Sequence, residues 1–433
     1  MIKILHTADL HIGEDLFATM NSKAAEERYK DIIDSLNQIS DIAIKEGIDA
    51  VVIAGDIFNR VLPSGTASLN FSEFVKKMLD NKTHVIIIRG NHDRPAVEGT
   101  SELLKTYRIL LSKAQENYFH YLSKIESLVI TTKEHRRIGF VALPYYPTGE
   151  EYDGTQNITE IFGRSGEVQK RAYTDYFRKV ILDKIEKERS KIDAEYKILM
   201  AHVPITGSIP GSERIFYGSK SEVVYGTNEI CKLPFDYVAL GHFHVMQMVG
   251  APNCRYSGSI FRLTFDEPSY IDGRKVSKSE KGVILVEEKD KKLLPRPIAL
   301  RTRDLCIVHL DYLDAKFNPV PRDVEEIVDS IRQKAPIMDA GKPPYVRVVV
   351  KIVDIQRKMF DEYSVREKLL RKGYLDVKFE MTTEQSNIPK ITATSLPVEE
   401  SLSKYVENLR LPSEMREDVL KEALKILKEV SGK

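Results

Sequence analysis

Five short clusters between Asp9 and His244 hold side chains able to bind metals. They are Asp9, Leu10, His11; Gly55, Asp56; Gly90, Asn91, His92, Asp93; His202; and Gly241, His242, Phe243, His244. As ligands they offer two aspartates, one asparagine and four histidines, with His92 in addition. Hard carboxylates, a neutral amide oxygen and several imidazoles are what a centre for two divalent metals needs, and such centres most often hydrolyse phosphate esters.

Each residue type has a reason to be there. Asp9 and His11 lie two apart past a strand-like run, so at strand spacing both face one side and can reach one ion. Asp56 has two carboxylate oxygens and is the natural bridge between two ions, while Gly55 lets backbone pass close to them. Asn91 offers its carbonyl oxygen to a second ion. His202 follows an apolar strand. His242 and His244 flank Phe243 and, two apart, are expected to face the same side. Asp93 either orients His92 or holds the turn. Any one of these histidines alone would read as a satisfied core or surface residue, and His6, His84, His120, His135 and His309 receive no role. The ordered set is what carries the signal.

The clusters sit where an α/β sheet builds sites. Strands are expected over residues 2–7, 50–54, 85–89, 138–143, 197–201, 237–240 and 283–288. Helices are expected over 24–46 and 67–80 and around 171–189, the first with Ile32, Ile33, Leu36, Ile39, Ile42 and Ala43 on one face. Continuous apolar strands alternating with helices predict an α/β core with helices on the sheet faces. Every cluster follows directly on a strand, and the carboxyl ends of strands are where such sites form.

A second unit begins near Thr302, with strands over 304–310, 345–353 and 374–381 and helices over 322–334 and 364–371. It carries no catalytic constellation of its own. A polar stretch then reads as a linker, and two amphipathic helices finish the chain, over 397–409 and 412–430. Met415, Val419, Ala423, Leu427 and Val430 line one face of the last. A helical pair behind a linker, apolar on one side and charged on the other, either folds onto its own domain or, the favoured reading, docks on a partner.

Bulk properties set the bounds. The 433 residues imply two or more domains, and 42% apolar content suffices for a sizeable core. The 30% charged fraction is consistent with a hot-living source. A net charge of +1 excludes a global basic field, so nucleic acid would need a local patch. Cys231, Cys254 and Cys306 lack metal-type spacing and read as buried reduced thiols. The N-terminus runs as a strand straight into a motif, unlike a signal peptide, and no apolar run reaches the ~18 residues of a membrane span. A soluble, cytoplasmic protein of prokaryotic type is expected.

These clusters resemble the calcineurin-like metallophosphoesterase superfamily. Ile4 to His11 (ILHTADLH), Ala54 to Phe58 (AGDIF), Arg89 to Asp93 (RGNHD), Asp236 to His244 (DYVALGHFH) and Tyr256 to Ser259 (YSGS) are similar to its SbcD / Mre-eleven branch of double-strand-break repair nucleases. The likeness is close up to about Glu267 and one of layout beyond it. It implies a metallophosphoesterase sandwich core over 1–300, a small α/β capping, DNA-binding domain over 301–382, a linker over 383–396, and a helical pair over 397–433. It implies one metal on Asp9, His11, Asp56 and His244, another on Asp56, Asn91, His202 and His242, and His92 as the catalytic group. Family members favour manganese, whereas the ligand chemistry alone suits manganese, iron or zinc.

The resemblance further implies 3′–5′ double-strand exonuclease and single-strand endonuclease activity, a homodimer, and an SbcC / Rad-fifty type ABC ATPase docked on the terminal helices. Many relatives carry a second histidine three residues after the bridging aspartate; here it is Asn59. Asn59, Arg60 and Arg94 are candidate substrate contacts, and Arg89, Lys220, Arg255 and Arg262 are basic residues near the motifs. The loop over 208–221, with Phe216 and Tyr217, is a candidate wedge or cover. A phosphatase or cyclic-nucleotide phosphodiesterase acting on small phosphate esters is the alternative. A non-catalytic scaffold is disfavoured because every ligand position is filled.

Overall fold

The structure, a computed structural model, describes residues 1–13, 22–94, 103–146, 167–215, 223–277, 280–311, 323–352, 360–383, 402–403, 406 and 413–431. Most of the helix expected over 397–409, most of the linker, Lys220, Phe216 and Tyr217 lie outside these residues. Two compact units emerge. One comprises Met1–Glu267 with Ser277–Arg303, the other Pro268–Val276 with Asp304–Lys433. The short segment Pro268–Val276 therefore belongs with the second unit, ahead of the boundary expected near Thr302.

The first unit is a four-layer sandwich. In chain order its strands are β1 (Lys3–Thr7), β2 (Ala50–Ile53), β3 (His84–Ile88), β4 (Phe119–Leu122), β5 (Ser127–Thr131), β6 (Arg137–Leu143), β7 (Tyr196–His202), β8 (Tyr237–Gly241), β9 (Gln247–Val249) and β10 (Ala251–Tyr256). One six-stranded sheet starts with Lys292–Ala299 and Gly282–Lys289 and continues through β1, β2, β3 and β4; the other runs β5-β6-β7-β8-β10-β9. β1 to β4 are mutually parallel, as are β6, β7, β8 and β10.

Side-chain alternation explains why the strands read as unbroken apolar runs. Ile4, Val52 and Ile86 point between the sheets and meet Phe140, Ile198, Met200 and Ala239. Leu5, Val51, Val85 and Ile87 point outward onto helices α1 (Ser22–Glu46) and α2 (Gly65–Asp80), through Ile32, Leu36, Ile39, Phe71 and Met78. On the far side Val141, Leu199 and Val238 meet Phe177, Ile181 and Ile185 of helix Glu167–Lys191. With both faces of each sheet covered, period-two polarity disappears. β4, β5, β9 and β10, half-exposed and short, gave no such run.

The two sheets touch where β8 ends. A Cβ on Gly241 would land on the carbonyl oxygen of Ala54, with Ala8 Cβ 2.9 Å away. Backbone cannot give way as a flexible side chain can. Gly241→Ala is expected to cost at least ~3 kcal/mol and to lower Tm by roughly 10 °C. A thermal melt within ~2 °C of wild type would contradict this packing.

Cys231 and Cys254 are joined in a disulfide, with Cα atoms 5.4 Å apart, which corrects the expectation of reduced thiols. Cys231 ends the short helix Thr227–Ile230 and Cys254 lies on β10; both enter the core outside the second sheet. Twenty-three residues of separation hid that proximity. Cys306 is buried and unbridged.

The charged fraction goes partly into short-range surface pairs such as Lys30–Glu26, Lys76–Asp80 and Arg189–Glu186. Ordinary helices make such pairs, each worth ~0.3–0.5 kcal/mol, so the hot-living source is not borne out. Among the described residues no helix is long and apolar enough to cross a membrane.

In the second unit, strands Leu305–Asp311, Tyr345–Ile352 and Asp376–Thr383 are parallel, and Tyr270–Ile271 joins their edge. Val308, Val346, Val348 and Val350 pack on Ile331 of helix Val324–Lys334 and on Val365 and Leu369 of helix Glu362–Arg371. The chain's last described element is helix Ser413–Ser431.

Candidate metal centre

The ligand clusters leave their strands through left-handed backbone. Among the described residues nine non-glycine residues have positive φ, and four are candidate ligands: Asp9 at 51°, His11 at 42°, Asp56 at 53° and His242 at 109°. Such conformations cost ~1–3 kcal/mol each and persist where the surroundings enforce them. Here the loops after β1 and β2 enforce one another: Asp9 N donates to Gly55 O at 3.0 Å, and His11 N to Asp56 O at 3.1 Å. Asp9 carboxylate oxygens accept from His242 N at 3.0 and 3.1 Å, which ties the first sheet to the second.

This geometry corrects the strand-spacing argument. Asp9 and His11 are not extended strand residues. His242 and His244 do not share a side: His242 faces Asn91 and His202, whereas His244 faces His11. Two glycines permit the crowding. A Cβ on Gly55 would strike the ring of His202, and one on Gly90 would strike the Asp56 carboxylate. Gly55 thus makes room for a ligand ring.

Hydrogen bonding fixes which ring atoms turn inward. His202 Nδ1 donates to Ala54 O at 2.7 Å, so in the neutral ring Nε2 carries the lone pair. That atom faces Asn91 Oδ1 at 2.8 Å, also an acceptor. His244 Nδ1 donates to Ser212 Oγ at 2.6 Å, and its Nε2 faces His11 Nε2 at 3.1 Å. With the rings neutral, His202 Nε2 and Asn91 Oδ1 are acceptors confronting one another in a dry interior, which is unfavourable unless a proton or a metal cation lies between them. Asp56 Oδ2 lies 3.5 Å from His202 Nε2 and 3.7 Å from His11 Nε2, midway between the two groups. The seven side chains thus fit a pair of divalent cations. His11 Nδ1 and His242 Nε2, the ring atoms turned away from the centre, are buried without a hydrogen-bond partner.

The electrostatics agree. Burial pushes the Asp9 carboxyl up, while His202 and His92 overcome burial to hold Asp56 well below the usual carboxylate range. Burial drives His242 down to about 3 and lowers His11. Burial opposes protonation of His202 and His244 too, but Asp56 lifts the first to about 9, and Glu267 and Glu213 lift the second to about 9. Ligation needs neutral imidazole, so protons and a divalent cation compete for these two lone pairs.

His92 sits beside this group, its ring centroid 4.8 Å from that of His11. Its Nδ1 donates to the backbone carbonyl of Asn59 at 2.9 Å, and its backbone N to Asp56 Oδ1 at 2.8 Å. Asp93 does not orient it. That carboxylate accepts from Ile57 N at 3.0 Å and Gly90 N at 2.9 Å and so holds the turn.

Two basic residues are removed from the substrate contacts. Arg89 is buried, donates to Tyr145 O at 3.2 Å and lies over the Tyr146 ring. Arg262 is buried and donates to Arg303 O at 3.1 Å and to Thr302 Oγ1. Arg255 bonds Pro252 O in its own strand. Arg60 is exposed and Arg94 half-buried, both close in sequence to His92 or Asn59. The sequence reading missed Ser212, Glu213, Glu267 and Lys281, which cluster behind His244. They fall in loops with no strand or repeat to mark them.

The sequence profile of the family described as "Calcineurin-like phosphoesterase" matches residues 2–246. The chain is 28% identical over 281 residues to a Bacillus subtilis (strain 168) protein described as the SbcD subunit of the nuclease SbcCD, covering 62% of this chain and 64% of that one, just under two thirds of its length. A Staphylococcus epidermidis protein of the same description is 28% identical over 323 residues, covering 72% and 74%. One from Escherichia coli (strain K12) is 24% identical over 425 residues, covering 91% and 98%.

Proposed function

The chain belongs to the calcineurin-like phosphoesterase family, and from that premise we propose that it is a manganese-dependent DNA nuclease that trims and opens DNA ends. The observation that carries the reading is the set of inward-facing ligand atoms of His11, Asn91, His202 and His244 around Asp56. Asp9, His11, Asp56 and His244 would hold one ion, and Asp56, Asn91, His202 and His242 the other. Two such ions would supply an activated water and a clamp on the phosphate.

The chain's own groups do the rest. Asp56 Oδ2 faces both halves of the centre, while Oδ1 is engaged by the His92 backbone. The carbonyl of Asn59 keeps the His92 proton on Nδ1, which leaves Nε2 to exchange a proton with the leaving oxygen. That bond uses backbone, so asparagine in place of the family's second histidine does not disturb it.

The nuclease reading, with 3′–5′ exonuclease and single-strand endonuclease modes, is supported by likeness to the SbcD proteins along most of the chain. Those relatives are subunits of the two-subunit nuclease SbcCD, which supports a second-subunit partner, here proposed as an ATPase of SbcC / Rad-fifty type; a homodimer is proposed on the family resemblance alone. Helix Ser413–Ser431 leaves Met415 and Ile426 more than half exposed, and Val419, Ala423 and Leu427 only partly covered. An apolar stripe this open suits a coiled-coil partner. Deleting residues 397–433 is expected to abolish capture of that ATPase in a pull-down; undiminished capture would move the docking site elsewhere.

Digestion of linear double-stranded DNA tests the activity. It should require manganese and stop with chelator. Brisk hydrolysis of a small phosphodiester without DNA digestion would favour the small-ester alternative. If Arg60 and Arg94 grip the phosphate backbone, changing both to alanine should weaken DNA binding across all sequences. The slope of log affinity against log salt should fall by about two. An unchanged slope would remove them from the interface.

A further inference from the structure

His244 is held at every polar atom except Nε2. Its backbone N donates to Glu213 Oε1 at 2.7 Å. Its carbonyl accepts from Lys281 Nζ at 2.8 Å and from Ser259 N at 3.2 Å. Its Nδ1 donates to Ser212 Oγ at 2.6 Å and lies 3.3 Å from both Glu213 Oε2 and Glu267 Oε1. The Ser212 hydroxyl in turn donates to Glu267 Oε1 at 2.9 Å. Glu267 Oε2 accepts from Leu263 N at 3.0 Å and pairs with Lys281 Nζ at 2.9 Å. Glu213, Glu267 and Lys281 are all at least nine-tenths buried.

Gly211 brings this loop in. A Cβ there would crowd Glu267, lie 3.0 Å from Glu213 Oε2 and 3.2 Å from His244 Cβ. The other candidate histidine ligands have no such backing. His202 Nδ1 rests on a neutral carbonyl, and His11 Nδ1 and His242 Nε2 have no hydrogen-bond partner.

Buried charge is unfavourable unless it is paired and used. Here two carboxylates and a hydroxyl converge on one ring while an ammonium holds its backbone carbonyl, and the one polar atom they leave unengaged is the nitrogen aimed at His11. A carboxylate behind an imidazole fixes its tautomer and raises its basicity as a ligand. We propose that Ser212, Glu213 and Glu267, locked by Lys281, are positioning residues for His244, and that they make the cation position formed by Asp9, His11, Asp56 and His244 the tighter of the two. This rests on the two-cation reading given above and adds an order of filling to it: this position loads first.

Manganese titration of the full chain tests it, by calorimetry and by the electron paramagnetic resonance signal of bound Mn(II). The wild type should show two unequal sites. Ser212→Ala and Glu267→Gln should weaken the tighter one by ~10–100-fold, leave the weaker unchanged, and erase the order of filling. Ser212→Thr, which keeps the hydroxyl, should restore it. Glu267→Gln leaves Lys281 buried beside a neutral amide; should it fail to fold, Ser212→Ala, which removes one hydroxyl, carries the test. Two sites of unaltered affinity in Ser212→Ala would overturn the assignment and leave the metal centre standing. A wild type that binds no manganese would overturn both.

Discussion

Asp56→Asn is expected to abolish manganese-dependent DNA cleavage and to remove both tight manganese sites together. The reason is its position. Oδ2 is 3.5 Å from His202 Nε2 and 3.7 Å from His11 Nε2, so a single oxygen addresses both halves of the centre. In the assignment proposed above every other ligand serves one ion. Asparagine keeps the shape, and its carbonyl oxygen can still accept from His92 N, but the negative charge that offsets two cations is gone. Losing ~4 kcal/mol of charge stabilisation corresponds to about a thousandfold in rate. In the metal-free fold the change has opposing effects: Asp56 repels buried Asp9 and Asp93, but His202 and His92 favour its charge.

Two measurements therefore separate chemistry from folding. Manganese at 100 times its Kd should stabilise the wild type by ~2.7 kcal/mol per site. The variant should melt near the metal-free wild type and gain nothing from manganese. A variant that keeps a tenth of the activity, or one of two undiminished sites, would show that Asp56 does not bridge.

The order of ligands and their place after strands were legible because chemistry and topology wrote them twice. Val51 to Ala54 reads as a buried strand from its residues, and Gly55, Asp56 follow regardless of what fold is assumed. The pairing of ligands across the centre was not legible by spacing. His242 at φ 109° breaks the alternation that would have put it beside His244, and no local rule assigns a histidine to the left-handed region. The supporting shell was illegible for another reason. Glu213 and Glu267 reach His244 from loops 31 and 23 residues away in sequence, separations that carry no period. The same holds for Cys231 and Cys254, brought together because β10 lies parallel beside β8.

The basic residues show the limit from the other side. Arg89 is as close to the motifs in sequence as Arg94 is, and Arg262 lies three residues past Ser259, yet both are buried and bonded to backbone carbonyls. Charge near a motif is a statement about composition. Only burial separates an arginine that seals a core from one that can meet a phosphate.

His92→Ala should slow DNA cleavage by ~10²–10⁴-fold while both manganese sites remain, because His92 touches the centre without being needed to hold it. Its Nδ1 is committed to the Asn59 carbonyl at 2.9 Å. A proton delivered to the leaving oxygen must therefore come from Nε2, as must any positive charge set against the phosphate. The two roles differ in what they demand of the substrate. A sugar alkoxide is a poor leaving group and needs the proton; a nitrophenolate leaves without one. If His92 acts as the acid, His92→Ala loses DNA cleavage but retains most turnover of a nitrophenyl phosphodiester. Equal loss on both substrates assigns His92 to charge stabilisation instead, and no loss on either removes it from the chemistry. Asn59→Ala sharpens the comparison: since Asn59 reaches the His92 ring through its backbone carbonyl, that variant should leave the ratio of the two activities as it is in the wild type.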